Sequence, residues 1–359
     1  MYLLVWLVLL VAAIWAFERF YLRGYGSKAY PVPDDPDTLQ RFVQAAEPGP
    51  EHLQVINTVR ELTLRISVGR KHDNLEAARS AFDTISDGYE YPSEFLPVDA
   101  GGVPAEWVIA PGAEKNRRVL YIHGGGFVVG SPKSHRTITS KFSEISGCAV
   151  LSIDYRLMPE HHLEDCVDDC RKAYHWILEN GPDGPADIRQ LFIGGDSAGG
   201  NLTLSLIAWI RDNKLRAPEA VVALSPLTDI TFSGASLRDN MDTDVMLKPF
   251  MKALNKLPPF IKSWWVLWSY RVRPCNPVAS PLLGDLSDLP PTLLQVSEAE
   301  MLLDDSRRYV YKASASGSKV KLQTWTNMVH IWQIFDPQIP EAVEAWVQIG
   351  RFLEEHASA

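Results

Sequence analysis

The chain has 359 residues, of which 46% are hydrophobic and 22% are charged, so it can bury one large core and lacks the composition of a disordered protein. Its net charge of −9 and the lack of a basic stripe argue against nucleic-acid binding, because phosphate contacts need clustered Lys and Arg. The four cysteines have no zinc-binding spacing. Cys166 and Cys170 lie one helical turn apart, a spacing that favours buried free thiols over a disulfide. Free thiols in turn indicate a reducing compartment.

The chain opens with an apolar segment. No charged residue occurs from Tyr2 to Phe17, which predicts a membrane helix. Helical extension through Leu22, with Glu18 and Arg19 snorkelling, brings it to about 20 residues, enough for a bilayer core.

A cleaved signal peptide is the alternative to this membrane helix. The segment lacks both a basic start and a small-x-small cleavage site, so an uncleaved anchor over residues 1–27 is favoured. Arg19, Arg23 and Lys28 follow the apolar run, and this positive charge predicts that the rest of the chain faces the cytoplasm.

Residues 28–90 contain no strong strand pattern. After a proline-rich linker, amphipathic periodicity predicts helices at Leu39–Ala46, Glu51–Val68 and Asn74–Ile85. We expect residues 28–90 to form a cap over the sheet edge, since a buried site needs a roof, although a surface for the membrane is the alternative.

Residues 91–359 have the pattern of one α/β domain. Two antiparallel edge strands are predicted at Glu94–Val98 and Pro104–Ile109. Short β-rich runs then alternate with helical stretches, which predicts a mostly parallel sheet with helices on both faces and a site at the carboxyl ends of the strands. These runs are 119–122, 149–153, 190–193, 220–224, 292–296 and 319–325.

A glycine run follows the predicted strand at 119–122. In His123-Gly124-Gly125-Gly126, the glycines let the backbone approach a ligand and point N–H groups at a developing oxyanion. The N–H of Ala198 is a further candidate donor. A phosphate loop is disfavoured because no Lys-Ser/Thr follows and the G-x-G-x-x-G spacing is absent.

A second glycine-rich turn joins the predicted strand at 190–193 to a helix. The turn Gly195-Asp196-Ser197-Ala198-Gly199 has a serine at its tip and glycine two residues to either side, which suits a strained backbone that exposes the hydroxyl as a nucleophile.

Three motifs occur in one order: His123–Gly126, Asp154–His161 and Gly195–Gly200. Together they resemble those of hormone-sensitive-lipase-type (bacterial family IV) esterases of the α/β-hydrolase superfamily, from about Val119 to about Ile334. The resemblance implies an α/β-hydrolase fold with an eight-stranded sheet and a triad in the order Ser, acid, His.

The triad residues follow from this resemblance. Relatives read E-x-D-x-L-x-D after the seventh strand, and an ungapped match puts Glu300 at the position of the triad acid, with Asp304 and Asp305 as the alternatives. His330 fits the base after the last strand, with Ser197 as nucleophile. His123 and Asp196 are expected to support the site rather than to react.

The resemblance also implies that an insertion at 228–273 forms part of the lid. Its aromatic run Trp264–Trp268 suits an acyl chain, although any buried helix can carry such a run.

These residues predict a serine carboxylesterase that acts on small-molecule acyl esters of short to medium chain length, with no metal and no cofactor. We also expect membrane attachment through the first helix, and the sequence leaves a homodimer open. An amide or natural-product deacetylase on the same fold is the alternative. A non-catalytic ligand receptor is disfavoured because both Ser197 and His330 are present.

Overall fold

A nine-stranded sheet organises the chain, as seen in a computed structural model that describes residues 2–24, 30–43, 49–71 and 74–357. The strand order is β1-β11-β10-β9-β8-β4-β5-β3-β2, and β6 and β7 form a separate small hairpin. The strands are β1 Leu39–Phe42, β2 Glu94–Asp99, β3 Pro104–Ile109, β4 Glu114–Ile122, β5 Cys148–Ile153, β6 Asn180–Gly181, β7 Gly184–Pro185, β8 Gln190–Asp196, β9 Ala220–Leu224, β10 Thr292–Ser297 and β11 Val320–Trp325.

The pairing pattern confirms the mostly parallel sheet. In this spatial order, every neighbouring pair from β1 through β11, β10, β9, β8 and β4 to β5 is parallel. The last two pairs, β5 with β3 and β3 with β2, are antiparallel. Strand β2 therefore lies at the edge, as predicted, and β3 lies one position inside it.

The helices are α1 Tyr2–Ala16, α2 Pro50–Lys71, α3 Leu75–Asp83, α4 Arg136–Ser146, α5 Leu163–Glu179, α6 Ser197–Asp212, α7 Ser236–Asp239, α8 Lys248–Asn255, α9 Pro259–Tyr270, α10 Leu303–Ala315 and α11 Pro340–Glu355. Five of them cover the two faces of the sheet. One face buries α5, α6 and α10, and the other buries α4 and α11, so each face has its own apolar core. The buried Cys166 and Cys170 on α5 are free thiols, as predicted.

The helix predicted at Leu39–Ala46 is wrong. Residues 39–42 form strand β1, which pairs in parallel with β11, and residues 44–46 lie outside the described residues. The ring of Phe42 stacks on that of Trp325 with centroids 4.2 Å apart, and Gln323 Nε2 donates to Gln40 Oε1 at 2.8 Å. Residues 39–42 are extended because the unpaired N–H and C=O groups at the edge of β11 need a partner, which local periodicity does not reveal. Strand β1 is also the reason why the sheet has nine strands and not the eight that the resemblance implied.

The other two helices predicted before residue 90 are confirmed as α2 and α3. Asn74 begins α3 by accepting a hydrogen bond from Ala77 N at 3.0 Å, which satisfies a backbone donor that the first turn leaves free. His72, like Lys28, lies outside the described residues.

The first helix continues past α1 as a π-helix over Phe17–Leu22. The stretch Leu4–Leu22, with a mean hydropathy of 1.8, is long and apolar enough to cross a membrane, a test that signal sequences also pass. The prediction that Glu18 snorkels to solvent is wrong. It is buried, pairs with Arg23 at 2.7 Å and accepts a hydrogen bond from Ser263 Oγ at 3.1 Å, because α9 packs against it.

Candidate active site

Ser197 lies where β8 ends and α6 begins. Its φ of +50° is the left-handed conformation expected at a sharp strand-to-helix turn. A Cβ on Gly199 would collide with the carbonyl oxygens of Ile122 and His123, so the close approach of the turn to β4 requires glycine.

His330 follows β11 and reaches the same point from the other half of the sheet. Its Nε2 lies 2.9 Å from Ser197 Oγ, within hydrogen-bond distance, and both residues line one cavity. The loop that carries His330 is tied to β10 by Ser297 Oγ, which donates to the carbonyl of Met328 at 2.7 Å.

Glu300 lies on the other side of the imidazole. Its Oε2 is 3.3 Å from His330 Nδ1 and accepts a hydrogen bond from Ser225 Oγ at 2.9 Å. Asn240 Nδ2 donates to the Glu300 carbonyl at 2.7 Å, which fixes the backbone of this loop. With Nδ1 donating to a carboxylate, the lone pair of Nε2 faces Ser197.

The two alternative carboxylates bind elsewhere. Asp304 Oδ2 accepts a hydrogen bond from Ser236 N at 2.9 Å, and Asp305 Oδ1 accepts one from each of Thr228 N and Asp229 N at 2.8 Å. Both side chains thus hold the start of the insertion at 228–273, and the structure brings Glu300 to His330 instead.

The carboxylate of Glu300 raises the pKa of the His330 imidazole. Burial alone would lower the pKa of His330, but the charge and hydrogen bond of Glu300 outweigh it and raise that pKa above its usual value. Burial raises the pKa of Glu300, and the interaction with His330 opposes that shift.

The glycine loop divides into two parts. Gly125 and Gly126 line the cavity with Ala198, but the N–H of Gly124 donates to Asp196 Oδ1 at 3.0 Å. The prediction of Gly124 as an oxyanion donor is therefore wrong, because its donor is occupied. A Cβ on Gly125, whose φ is +114°, would collide with the carbonyl of Val129, so this position needs glycine.

His123 and Asp196 are buried under the loop. His123 Nδ1 donates to the Gly124 carbonyl at 2.7 Å, and burial lowers the pKa of His123 to about 3, so it is neutral. Asp196 also accepts a hydrogen bond from Tyr121 at 2.7 Å. Burial alone would raise the pKa of Asp196, but His135 and Tyr121 together lower it.

Sequence reasoning missed three residues that hold the site. His135 is fully buried with Nε2 3.4 Å from Asp196 Oδ2, and Ser225 binds Glu300. Asp244 is buried and accepts a hydrogen bond from Met301 N at 2.8 Å, which ties the insertion to the acid loop. Only Ser225 had a signal, since it directly follows a predicted strand at the carboxyl edge of the sheet.

The cavity has a volume of about 820 Å³ and is lined mostly by apolar side chains. Its lining includes side chains from two parts of the chain that precede or interrupt the sheet: α2 and α3 contribute Leu62, Ile66 and Phe82, and the insertion contributes side chains of α8, α9 and the segments beside them. Ser197 and His330 face this cavity, so a ligand in it would contact the hydroxyl.

Comparisons with known proteins agree with this geometry. A family model described as the alpha/beta hydrolase fold matches residues 119–334. An acetyl-hydrolase of Streptomyces hygroscopicus is 32% identical over 83% of this chain and 95% of its own length. The carboxylesterase/phospholipase LipF of Mycobacterium tuberculosis is 35% identical over 70% of this chain and 66% of its own length. The crystal structure of an esterase from the bacterial hormone-sensitive lipase family superposes with a TM-score of 0.72 at 34% identity, covering 87% of this chain and 100% of that one.

Proposed function

Because the chain belongs to the α/β-hydrolase family, in its hormone-sensitive-lipase branch, we propose that it is a serine carboxylesterase that hydrolyses short- to medium-chain acyl esters. The observation that carries this proposal is the 2.9 Å contact between Ser197 Oγ and His330 Nε2 at the floor of a mostly apolar cavity. The relatives named as esterases and carboxylesterases support the same reaction class.

The first half of the proposed reaction is acylation. Ser197 Oγ attacks the ester carbonyl carbon while its proton passes to His330 Nε2. The carbonyl oxygen gains the negative charge and is bound by the N–H groups of Gly125, Gly126 and Ala198. Collapse of this intermediate breaks the bond to the alcohol oxygen, which takes the proton from His330 and leaves.

The second half is deacylation. His330 takes a proton from water as the water attacks the acyl carbon, and the same N–H groups bind the second oxyanion. Collapse returns the proton to Ser197 Oγ and releases the carboxylic acid. Glu300 accepts the Nδ1–H bond throughout and stabilises the imidazolium that forms in each half.

The cavity supports an acyl chain of limited length. Its volume of about 820 Å³ lies within the range of small-molecule sites, and apolar side chains such as Leu247, Met251 and Leu254 line it. Hydrolysis of p-nitrophenyl esters from acetyl to palmitoyl, by the full chain in detergent, tests this. We expect the highest kcat/KM between acetyl and octanoyl, and a maximum at palmitoyl would contradict the assigned chain length.

A deacetylase is the second candidate. It is favoured by the acetyl-hydrolase relative, 95% of whose length this chain matches. A comparison of p-nitrophenyl acetate with p-nitroacetanilide separates the two, since both carry the same acyl group. The ester proposal expects turnover of the first and little of the second.

We also propose how the chain is divided. Residues 1–27 form a membrane anchor, residues 28–90 and the insertion at 228–273 roof the cavity, and residues 91–359 form the catalytic domain. The apolar helix Leu4–Leu22 supports the anchor, and the cap side chains in the cavity wall support the roof. The sequence left a homodimer open, and sedimentation of the detergent-solubilised chain tests it.

The proposed orientation places the catalytic domain in the cytoplasm. Arg19 and Arg23 on that side of the helix, together with the buried free thiols, support it. Added protease should leave the domain intact in sealed cells and digest it in inverted vesicles. The opposite protection pattern would reverse the orientation.

A further inference from the structure

Helix α9 exposes a row of aromatic side chains. Phe260, Trp264 and Trp268 recur every four residues and so share one helix face, with exposed fractions of 53%, 39% and 69%. Ile261 beside them is 38% exposed. We name Phe260, Ile261, Trp264 and Trp268 the α9 stripe. Large exposed apolar patches of this kind mark a surface that contacts a partner or a membrane.

Helix α9 and the segment after it contact the first helix, and Trp264 is the member of the α9 stripe that takes part. The rings of Phe17 and Trp264 stack with centroids 5.7 Å apart, and Ser263 Oγ donates to the buried Glu18 at 3.1 Å. Just beyond α9, Cys275 N donates to the carbonyl of Leu22 at 3.0 Å. These contacts hold the end of the first helix against the cap.

The length of the first helix limits how far the cap lies from a bilayer. Helix α1 has 15 residues, which rise about 22 Å, whereas the hydrocarbon core of a bilayer is about 30 Å thick. A spanning α1 therefore needs Phe17–Leu22 within the membrane boundary, and helix α9 packs on that segment through Trp264 and Ser263. Trp and Tyr side chains prefer this interfacial depth.

The charge around α9 also fits a lipid surface. The whole chain has a net charge of −9, yet residues 248–273 contain four lysines, two arginines and no Asp or Glu. Lys248 pairs with Asp242 and Lys262 is buried, so the basic side chains left to face a lipid surface are those of Lys252, Lys256, Arg271 and the partly buried Arg273. A basic, aromatic segment beside a membrane helix is attracted to anionic lipid headgroups.

The same helix lines the proposed active-site cavity. Trp265 and Trp268 are in the cavity wall, and Trp268 is at the same time the most exposed member of the α9 stripe. The cavity therefore opens beside the surface that the other observations place at the lipid boundary.

We propose that the α9 stripe inserts into the interface of the bilayer that α1 crosses, and that the cavity takes its substrate, an amphiphilic acyl ester, directly from the lipid. The proposed insertion of the α9 stripe into the bilayer rests on the contacts of α9. The proposed substrate class rests in addition on the esterase function proposed above.

The first experiment measures, without an activity assay, whether the α9 stripe is inserted in the bilayer. The full chain carries a nitroxide at Phe260→Cys in a Cys275→Ser background and is reconstituted in nanodiscs that contain anionic lipid. Its matched control carries the label at Val343→Cys on α11, an exposed apolar position on a helix that packs against α4.

The label at position 260 is expected to collide more with oxygen than with a water-soluble nickel chelate, and the label at 343 to show the reverse. Equal nickel accessibility at the two positions would overturn the proposal. Spin–spin broadening at 260 would place a second copy of the chain on the α9 stripe and would also overturn it.

The second experiment measures the consequence for the substrate. The double variant Phe260→Glu/Ile261→Glu should hydrolyse soluble p-nitrophenyl butyrate like the unaltered chain, because neither residue lines the cavity. Its kcat/KM for dioctanoylglycerol embedded in the nanodisc, an ester within the proposed chain-length range, should fall about tenfold or more, since charges are excluded from the apolar boundary. The control Val343→Glu should retain both activities.

An undiminished rate on the embedded ester would overturn the uptake of substrate from lipid. If the unaltered protein hydrolyses neither ester, the esterase function is contradicted instead. The nitroxide comparison then still decides whether the α9 stripe is inserted in the bilayer.

Discussion

The N–H of Gly124 donates to Oδ1 of Asp196 at 3.0 Å, so one buried hydrogen bond connects the glycine loop to the turn that carries Ser197. The two motifs lie far apart in sequence but on adjacent strands, β4 and β8. Asp196 therefore fixes where Gly125 and Gly126 stand relative to the hydroxyl, and the N–H groups of Gly125, Gly126 and Ala198 are the donors that we propose for the oxyanion.

Replacing Asp196 should destabilise the protein. Asp196→Ala leaves the buried donors of Tyr121 and Gly124 without an acceptor, and each unsatisfied group costs about 1–3 kcal/mol. Asp196→Asn keeps an acceptor oxygen and should lose less. Thermal unfolding measures both, and equal melting temperatures for Asp196→Ala and the unaltered chain would contradict this role.

Gly125→Ala should impair catalysis more than Gly126→Ala. The added Cβ at position 125 meets the Val129 carbonyl and must shift the loop, whereas the Cβ at position 126 meets no atom and adds only the backbone strain of an alanine at φ +62°. Displacing an oxyanion donor lowers kcat by about 10²–10³-fold. Steady-state kinetics on p-nitrophenyl butyrate decide this, and the reverse order of the two variants would remove Gly125 from the proposed oxyanion hole.

Glu300→Ala should reduce kcat far more than Asp304→Ala. Loss of the triad acid costs on the order of 10³–10⁴-fold because the imidazole loses both its orientation and its counter-charge. Asp304 binds the backbone of Ser236, so its loss should lower stability with a small effect on kcat. A larger loss of kcat for Asp304→Ala would transfer the acid role to Asp304.

The pH dependence should report the same contact. His330 must be neutral to accept the Ser197 proton, so kcat/KM should fall as the pH drops through the raised pKa of His330. Glu300→Gln removes the negative charge that favours the imidazolium, so the pKa should decrease and the acidic limb should move to lower pH. The profile of this variant is recorded at a raised enzyme concentration, and an acidic limb that stays in place would argue that Glu300 does not act on His330.

The sequence located most of the fold because its signals are local. Alternating β-rich and helical runs identified the strands of the parallel sheet, and the turn around Ser197 has a glycine spacing that few other structures require. The position of β1 could not be predicted, since its residues are set by the free edge of β11 nearly 300 positions along the chain.

The support of the candidate site was equally hidden from sequence. His135 and Asp244 are ordinary residues in their local context, and their contacts with Asp196 and Met301 depend on how distant elements pack. The occupied donor of Gly124 is a similar case, because a glycine run does not tell which N–H groups face inward. The catalytic roles of Ser197, Glu300 and His330 stay predictions of this account.

The most direct test is to locate the reactive serine. The full chain is treated with diethyl p-nitrophenyl phosphate and digested, and the peptides are analysed by mass spectrometry beside those of Ser197→Ala. We expect one diethylphosphoryl group on the peptide with Ser197, a matching loss of p-nitrophenyl butyrate hydrolysis, and neither labelling nor hydrolysis by the variant. A labelled peptide elsewhere, or full activity in Ser197→Ala, would contradict the proposed mechanism.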